Sequence, residues 1–449
     1  MSTPRVPLAG TTPAGWAYSD ALAYLDGLVN LEAVVAGVVA QPTLRRIHRL
    51  MALMGDAQRA YPVVHLTGTN GKGSTARMIT VLLAAMGLSV GTYTSPDLER
   101  VNERLAWNEE PIDDDDLAGL IEAVAALEPL LDEAPSRFEV LTAAAYRWFA
   151  DVAVDVAVVE VGLGGRWDAT NVADATVSVV TNVSADHAEI LGPTLVDIAA
   201  EKAGIVKPGA LLVLGETDPG LAGVFRDAGP AQVWERDVEF AVEANRLAHG
   251  GRLVDVRTPG ASYKELYLPV HGAHQADNAA VALAAAEAFF GRPLPLDLVE
   301  AAFARLRLPG RMEVVSRQPL VLLDGAHNPA GARAAAATLA EEFEAASPRI
   351  LVLGMLRPRD PAEMLEALGV AGTRLVVAVA PPSPRAVPAA DVAAAATALG
   401  VRAEMSASVA EAVALAHAEA ADTEMVLVTG SLYLVGAAGA ALRAVETNQ

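Results

Sequence analysis

Residues 63–74 read Val-Val-His-Leu-Thr-Gly-Thr-Asn-Gly-Lys-Gly-Ser. A buried-strand pattern runs straight into a glycine-rich loop with one lysine, and a helical pattern follows from Thr75 to Met86. Strand, loop and helix start together make a phosphate cradle. Glycines let backbone N–H groups approach an anion, and the helix dipole adds positive potential. Lys72 is placed to reach the β- and γ-phosphates as a point charge. The same residues could form a plain structural turn, but the flanking strand and helix are the context that a nucleotide triphosphate site requires. One position departs from the common pattern. The residue after the lysine is Gly73, not the Ser or Thr that usually holds Mg²⁺. The metal hydroxyl must come from elsewhere, and Ser74 and Ser95 are the candidates. Ser95 follows the apolar strand pattern of Ser89–Tyr93.

The rest of the chain alternates strand and helix. A helical stretch, Phe138–Ala150, leads into the apolar run Val152–Val161, and another strand pattern covers Thr176–Thr181. Continuous apolar runs between helices mark buried parallel strands. Residues 235–270 change character, and their short alternating segments predict a small antiparallel or mixed sheet, followed by a helix at Gln275–Phe290. Arg-Leu-Pro-Gly-Arg at about 306–311 reads as a linker. Beyond it β/α alternation restarts with Leu320–Asp324, helix Gly331–Ala345, Ile350–Gly354, Leu375–Val379 and Met425–Thr429. The expected fold is therefore α/β: a P-loop, doubly wound, mostly parallel sheet at 1–308, plus a C-terminal Rossmann-like α/β domain at 312–449. Residues 1–16 are expected to be a loose tail, and Asp20–Gly55 to be helical with breaks.

Composition narrows the function. The 449 residues carry a formal net charge of −22, which argues against nucleic acid as a partner because phosphate backbones need Lys/Arg stripes. Hydrophobic residues make up 53%, yet no uninterrupted apolar run reaches membrane-spanning length. The start lacks the apolar core of a signal peptide. There are no cysteines, which excludes disulfides and thiolate metal sites. No membrane association and a cytoplasmic location are the expectations. The acidic run Asp113–Asp116 could hold metal, but carboxylates at a helix start are favoured by the dipole, so capping is the expected role.

In doubly wound sheets ligands sit beyond the carboxyl ends of the strands, and the chemistry-bearing residues fall there. Glu160 closes an apolar strand, which suits a magnesium ligand, although a capping or salt-bridged glutamate would look the same. Asp186-His187 follows the Thr176–Thr181 strand; its position leaves metal and phosphate roles open, since Mg²⁺ prefers oxygen. Lys202 lies at a helix end, where a cation is favoured by the dipole. Beside metal ions its charge would repel, unless the amine is masked. The Leu320–Leu323 strand ends in Asp324-Gly-Ala-His327-Asn328-Pro329, which reads both as a second half of the site and as a helix-capping turn.

Taken in order, these motifs resemble the folylpolyglutamate synthase/dihydrofolate synthase family of the Mur-ligase superfamily, from about Pro42 to about Val435. The resemblance rests on His65–Ser74, Thr94-Ser-Pro96, Asn102-Glu-Arg104, Phe138–Thr142, Glu160–Asn171, Asp186-His187, Glu201–Gly204, His274-Gln275 with Asn278, Pro309-Gly-Arg311, and Asp324–Pro329. It implies an ATP-dependent ligase that joins L-glutamate to dihydropteroate or reduced folates through an acyl phosphate. By the same resemblance Gly68, Thr69, Asn70, Gly71, Lys72, Gly73 and Ser74 hold the ATP phosphates, with Asn278, Arg311 and Asp324 as further nucleotide contacts. Ser95, Glu160 and His187 look like magnesium ligands, and Lys202 resembles the family's carbamylated lysine at a second Mg²⁺. Lys72, His187, Lys202, Asp324 and His327 form the implied catalytic set. Phe138, Asp168 and Ala169 resemble pterin contacts, and Arg104 a carboxylate-binding arginine. A monovalent cation is a further family-level implication, and a monomer is expected.

Three positions depart from the family pattern: Asp97 follows Ser-Pro, Trp167 replaces a leucine, and Pro358-Arg359 stand where Asp-Lys is usual. Alternatives are a synthase acting on folates alone, or a Mur-type ligase of a cell-wall nucleotide. The latter usually carries Lys-Thr-Thr/Ser in its loop and a domain for a UDP-sugar ahead of it. A GTPase-like switch would need Asn-Lys-x-Asp, which the sequence lacks.

Overall fold

The P-loop strand sits at the centre of the first sheet because four of its five residues are apolar or small and the fifth, His65, is satisfied by Thr170, so both faces can be covered. The computed structural model describes residues 15–30, 43–370 and 372–447. Strands in chain order are β1 Val63–Thr67, β2 Val90–Tyr93, β3 Leu105–Trp107, β4 Glu110–Pro111, β5 Val156–Glu160, β6 Val177–Val180, β7 Leu211–Leu214 and β8 Gln232–Glu235. Among the described residues they form one eight-stranded sheet in the order β4-β3-β2-β5-β1-β6-β7-β8. All neighbours are parallel except the β2–β3 and β3–β4 pairs at one edge. The chain leaves β1 towards β2 on one side, whereas β5 and β6 flank β1. The carboxyl end of β1 is thus the crevice where such sheets bind ligands.

Two layers of helices cover this sheet. On one face helix Lys72–Ala85 packs against the alanine-rich helix His274–Phe290, whose Ala279–Ala286 segment is wholly buried. Small side chains there let two helices and the sheet approach closely, with Leu82 and Leu83 filling the space between them. Each such buried leucine contributes about 1.5–3 kcal/mol. On the other face helices Asp114–Ala125 and Arg137–Asp151 pack with Tyr93 of β2, Ala157 and Val159 of β5, and the N-terminal helices Tyr18–Gly27 and Arg45–Leu53.

Three antiparallel strands follow, β9 Ala241–Ala248, β10 Gly251–Arg257 and β11 Ser262–Leu268, which is the small sheet expected at 235–270. The last unit is a six-stranded sheet of β12 Glu313–Arg317, β13 Leu320–Asp324, β14 Arg349–Leu353, β15 Thr373–Ala378, β16 Arg402–Met405 and β17 Met425–Thr429. Its order is β12-β13-β17-β14-β15-β16, parallel except for β12.

Several element bounds moved for local reasons. The P-loop helix starts at Lys72, three residues earlier than expected, because left-handed Gly71 ends the loop and the chain enters the helix directly. Only 156–160 of the apolar run 152–161 is strand. Val152 closes the preceding helix, and Ala153 turns with φ 53°. The helix expected at 331–345 spans Pro329–Glu342, since proline at its first position fits a helix start and Asn328 caps it. The acidic run caps its helix: Asp113 Oδ1 accepts from the Asp116 N–H at 2.8 Å. Of the expected loose tail, 1–14 lies outside the described residues, but Gly15 and Trp16 are docked. Gly15 N–H donates to Glu122, and the Trp16 ring lies 5.5 Å from that of Tyr24. Part of the expected helical stretch 20–55, residues 31–42, also lies outside the described residues. No helix among the described residues is long and apolar enough to cross a membrane.

Candidate active site

Two glycines shape the phosphate loop. Gly68 has φ +151° and Gly71 has φ +82°, and a Cβ at either would collide with Thr181 Oγ1 at 1.8 Å or Asn278 Oδ1 at 2.5 Å. Backbone can therefore come close to an anion here, and only glycine permits it. Asn278, on the alanine-rich helix, faces the loop and takes support from Gln275 at 3.0 Å. The loop is pinned from β6: Thr181 Oγ1 and Asn182 Nδ2 both donate to Asn70 O, and Thr69 N–H donates to Asn182 O. Lys72 folds back to donate to Gly68 O at 3.2 Å and Thr69 O at 3.4 Å. Gly73 and Ser74 line a cavity with Ser95, Glu160 and Arg311.

Glu160 stands at the end of β5, next to β1, and is 4% exposed. Its Oε2 accepts from Ser95 N–H at 3.3 Å and lies 3.4 Å from where a Cβ on Gly73 would be. A side chain at 73 would thus stand in contact with this carboxylate. Burial raises the Glu160 carboxyl pKa, opposed by Lys72, the Ser95 N–H, Arg311 and Arg77. No cation pairs with it within salt-bridge distance among the described residues, so this buried oxygen pair fits a hard divalent ion.

Lys202 ends helix Leu195–Lys202 and is buried, with Nζ donating to Gly68 O at 3.0 Å. Burial, then the charge of Lys72, lowers its pKa to about 7. His187 holds a left-handed backbone, φ 53°, within 3.8 Å of Asp186 and 4.0 Å of Glu189, and burial lowers its pKa. Lys72 and Lys202 both reach the Gly68 carbonyl, and the charge of Lys72 also acts on Glu160 and His187. Among the described residues no three His, Asp or Glu side chains cluster closely enough to hold a metal by themselves. A metal here would need mixed donors, and Ser95, Glu160 and His187 are the residues that could contribute them.

The second unit meets the P-loop through Asn328, in the turn expected to form the second half of the site, and through Arg359, to which the sequence alone assigns no such role. Asn328 caps helix Pro329–Glu342 through Oδ1, and its Nδ2 donates both to Asn70 of the P-loop at 3.0 Å and to Asp186 at 2.9 Å. Arg359 Nη2 meets the other oxygen of Asp186 at 2.6 Å, both side chains nearly buried. Burial would raise the Asp186 carboxyl, but Arg359, His187, His327 and Asn328 outweigh it and hold it well below the usual range. The variant Pro358-Arg359 segment is thus an interdomain clasp. Its signal in the sequence was charge retention at 359, but no spacing links that residue to Asp186.

Asp324 and His327 are placed here with constrained roles. Asp324 spends both oxygens on backbone, accepting from Met312 N–H at 2.9 Å and Ala326 N–H at 3.0 Å, so it braces the two loops that carry Arg311 and His327. His327 Nδ1 donates to Gly325 O at 2.9 Å, and burial, reinforced by Arg359, lowers its pKa to about 4. It is neutral at physiological pH, with Nε2 turned towards Asp186 at 3.8 Å.

The residues expected to hold a pterin gather on the other side of Glu160. Phe138 packs over Gly162, whose Cβ would lie 2.6 Å from its ring, and pairs with Tyr93 at 6.0 Å. Asp168 braces the loop itself, accepting from Leu163 N–H, Thr170 N–H and Thr170 Oγ1, beside buried Ala169. Because Thr170 gives its proton to Asp168, His65 must donate from Nε2 to Thr170 Oγ1, at 2.8 Å. Burial drops the His65 pKa to about 3, so this internal histidine is neutral. Arg104 does not stand free for a substrate carboxylate. It is 3% exposed and paired through Nε with Asp97 at 2.6 Å, so the two departures from expectation, a buried Arg104 and an acidic residue 97, explain each other.

A glycine phosphate cradle on a doubly wound sheet, facing a second α/β unit across a cleft with a buried acid and lysine, defines an ATP-dependent ligase of the Mur architecture. The Mur ligase middle domain signature matches residues 138–286, and that of the Mur ligase glutamate ligase domain matches 310–432. The dihydrofolate synthase/folylpolyglutamate synthase of Mycobacterium tuberculosis is 44% identical over 353 residues, covering 73% of this chain and 72% of its own. Two solved structures superpose over nearly the whole chain. Mycobacterium tuberculosis folylpolyglutamate synthase complexed with ADP has a TM-score of 0.87 at 38% identity, covering 95% of this chain and 98% of its own. A bifunctional folylpolyglutamate synthase/dihydrofolate synthase with Mn, AMPPNP and L-glutamate bound has a TM-score of 0.82 at 30% identity, covering 97% and 100%. The chain belongs to the folylpolyglutamate synthase/dihydrofolate synthase family.

Proposed function

We propose that this enzyme uses ATP to join L-glutamate to the carboxylate of dihydropteroate and of reduced folates. The observation that carries the reading is the glycine cradle with Lys72 and Lys202 both at the Gly68 carbonyl, beside a cavity lined by Gly73, Ser74, Ser95 and Glu160. In this reading the chain divides into an ATP-binding ligase domain, 1–308, and a glutamate-ligase domain, 312–449. The relative solved with Mn, AMPPNP and L-glutamate supports a divalent ion and a nucleotide in the same cleft.

The acceptor carboxylate attacks the γ-phosphorus of ATP, ADP leaves, and an acyl phosphate results. The glutamate amine then attacks the acyl carbon and expels phosphate, losing a proton to solvent or to phosphate. Gly68–Ser74 hold the phosphate chain, and Lys72, released from Gly68 and Thr69 carbonyls, follows the charge that moves onto the leaving group. Ser95, Glu160 and His187 would hold Mg²⁺, which when bound supplies charge neutralisation on the transferring phosphoryl group. Lys202, with a pKa near 7, offers a neutral amine for carbamylation, and the resulting anion would remove its repulsion of a second metal. Asn328 and Arg359 hold the second domain against Asp186, which keeps water from the acyl phosphate.

The test is ADP release by the purified protein with ATP, Mg²⁺ and L-glutamate, with dihydropteroate or tetrahydrofolate as acceptor. Turnover with both supports the bifunctional reading. Turnover with tetrahydrofolate alone reduces it to polyglutamylation, and turnover with neither refutes it.

A further inference from the structure

The cleft contains two guanidinium groups, Arg77 and Arg311, that no described side chain pairs with directly; Glu103, Glu109 and Glu160 act on Arg77 only at longer range. Arg77 lies on the P-loop helix one turn beyond Gly73, and Arg311 faces it from the interdomain linker. Both line a cavity bounded by Ser74, Ser95, Glu160 and Leu432. Arg77, Thr94 and Glu103 also line an adjoining cavity that runs outward past Glu109 and Pro111 to Arg307. Among the described residues neither the Arg77 nor the Arg311 guanidinium makes a hydrogen bond or ion pair. Two of the local acids bond elsewhere, and the third, exposed Glu109, acts on Arg77 only at longer range. Glu103 accepts from the N–H groups of Leu98, Glu99 and Arg100, and Glu160 takes that of Ser95. The arginine that sequence resemblance marked for a carboxylate, Arg104, is already paired with Asp97.

Two like charges held together in a partly buried cleft repel, and an arriving anion relieves that cost. Guanidinium groups favour carboxylate, which they bind in a planar, two-point fashion. The position points to a carboxylate other than the reacting one. The acceptor's reacting carboxylate must lie at the P-loop, whereas Arg77 is one helical turn, about 5.4 Å, further on. That offset is the reach of a single amino acid from its attacking amine to its side-chain carboxylate.

We propose that Arg77, assisted by Arg311, binds a carboxylate of a glutamyl unit, either the incoming L-glutamate or the glutamyl tail of a folate acceptor. This rests on the ligase function proposed above. The experiment compares wild type, Arg77→Ala and Arg77→Lys with two acceptors. Dihydropteroate carries no glutamyl tail; tetrahydrofolate does. A tenfold or larger rise in the KM for L-glutamate with dihydropteroate as acceptor, partly restored by lysine, assigns Arg77 to the incoming amino acid. A rise confined to the KM for tetrahydrofolate assigns it to the tail. An unchanged KM for both, or a change confined to ATP or dihydropteroate, overturns the proposal. Titration with a non-hydrolysable ATP analogue, expected to bind wild type and Arg77→Ala equally, shows that the variant is folded. If wild type releases no ADP with either acceptor, the ligase reading fails by itself. The carboxylate proposal is then judged by calorimetric titration of L-glutamate into the ATP-analogue complex. Tenfold weaker binding to Arg77→Ala supports it, and no binding to wild type or equal binding to both overturns it.

Discussion

Replacing Lys202 by methionine should stabilise the protein at low pH while removing the group that a carbamate needs. The Lys202 ammonium is buried against Gly68 O and beside Lys72, and its folded pKa falls from 10.5 to about 7. Below pH 7 the amine is charged in both folded and unfolded states, and the fold bears the whole penalty, about 5 kcal/mol for that shift. Between pH 7 and 10.5 the unfolded chain binds the extra proton, so the penalty shrinks as pH rises, to about 2 kcal/mol at pH 9. The hydrogen bond to Gly68 O returns about 1 kcal/mol. Lys202→Met should therefore be more stable than wild type by about 4 kcal/mol at pH 6 and by about 1 kcal/mol at pH 9. The assay is urea denaturation at both pH values in carbon dioxide-free buffer. A difference that does not vary with pH, or a methionine variant less stable than wild type at pH 6, refutes the reasoning. Adding bicarbonate tests the chemistry: a carbamate forms only on the folded, neutral amine, so it should raise the midpoint of wild type and leave that of Lys202→Met unmoved.

Other perturbations read the remaining parts of the site. Lys72→Ala should abolish ATP-dependent turnover, and normal ADP release by that variant would remove the P-loop from the reaction. Glu160→Gln should raise the Mg²⁺ concentration needed for half-maximal activity at least tenfold; an unchanged Mg²⁺ titration would count against Glu160 as a ligand. Arg359→Ala leaves Asp186 buried without its guanidinium partner, held by Asn328, the His187 N–H and two nearby imidazoles, so it should destabilise the closed arrangement by about 2–4 kcal/mol. Small-angle scattering and urea unfolding check this, and wild-type values in both would deny the clasp. Gly71→Ala forces a positive φ on alanine and a contact with Asn278, so nucleotide affinity should fall at least tenfold in a binding titration.

The sequence by itself determined the parts whose physics is local. A strand, a glycine loop and a helix start at 63–75 are set by neighbouring residues, as is the capping of helix Asp114–Ala125 by Asp113. Alternating apolar runs were enough to give two parallel sheets, and strand ends were enough to find Glu160, Asp186 and Asp324. Tertiary structure decided which of these groups remain available, because that depends on partners far away in the chain. Arg104 lost its availability to Asp97, and Asp324 and Asp168 turned their oxygens to backbone N–H groups. Asn70, Asp186, Asn328 and Arg359 became one clasp only because two sheets meet at the P-loop. Arg77 was hidden in a helix that periodicity reads as core. Its i+4 spacing from Gly73 placed it on the loop's face, but that its guanidinium makes no ion pair depends on tertiary partners, because Glu103 and Glu160 turn to backbone N–H groups instead.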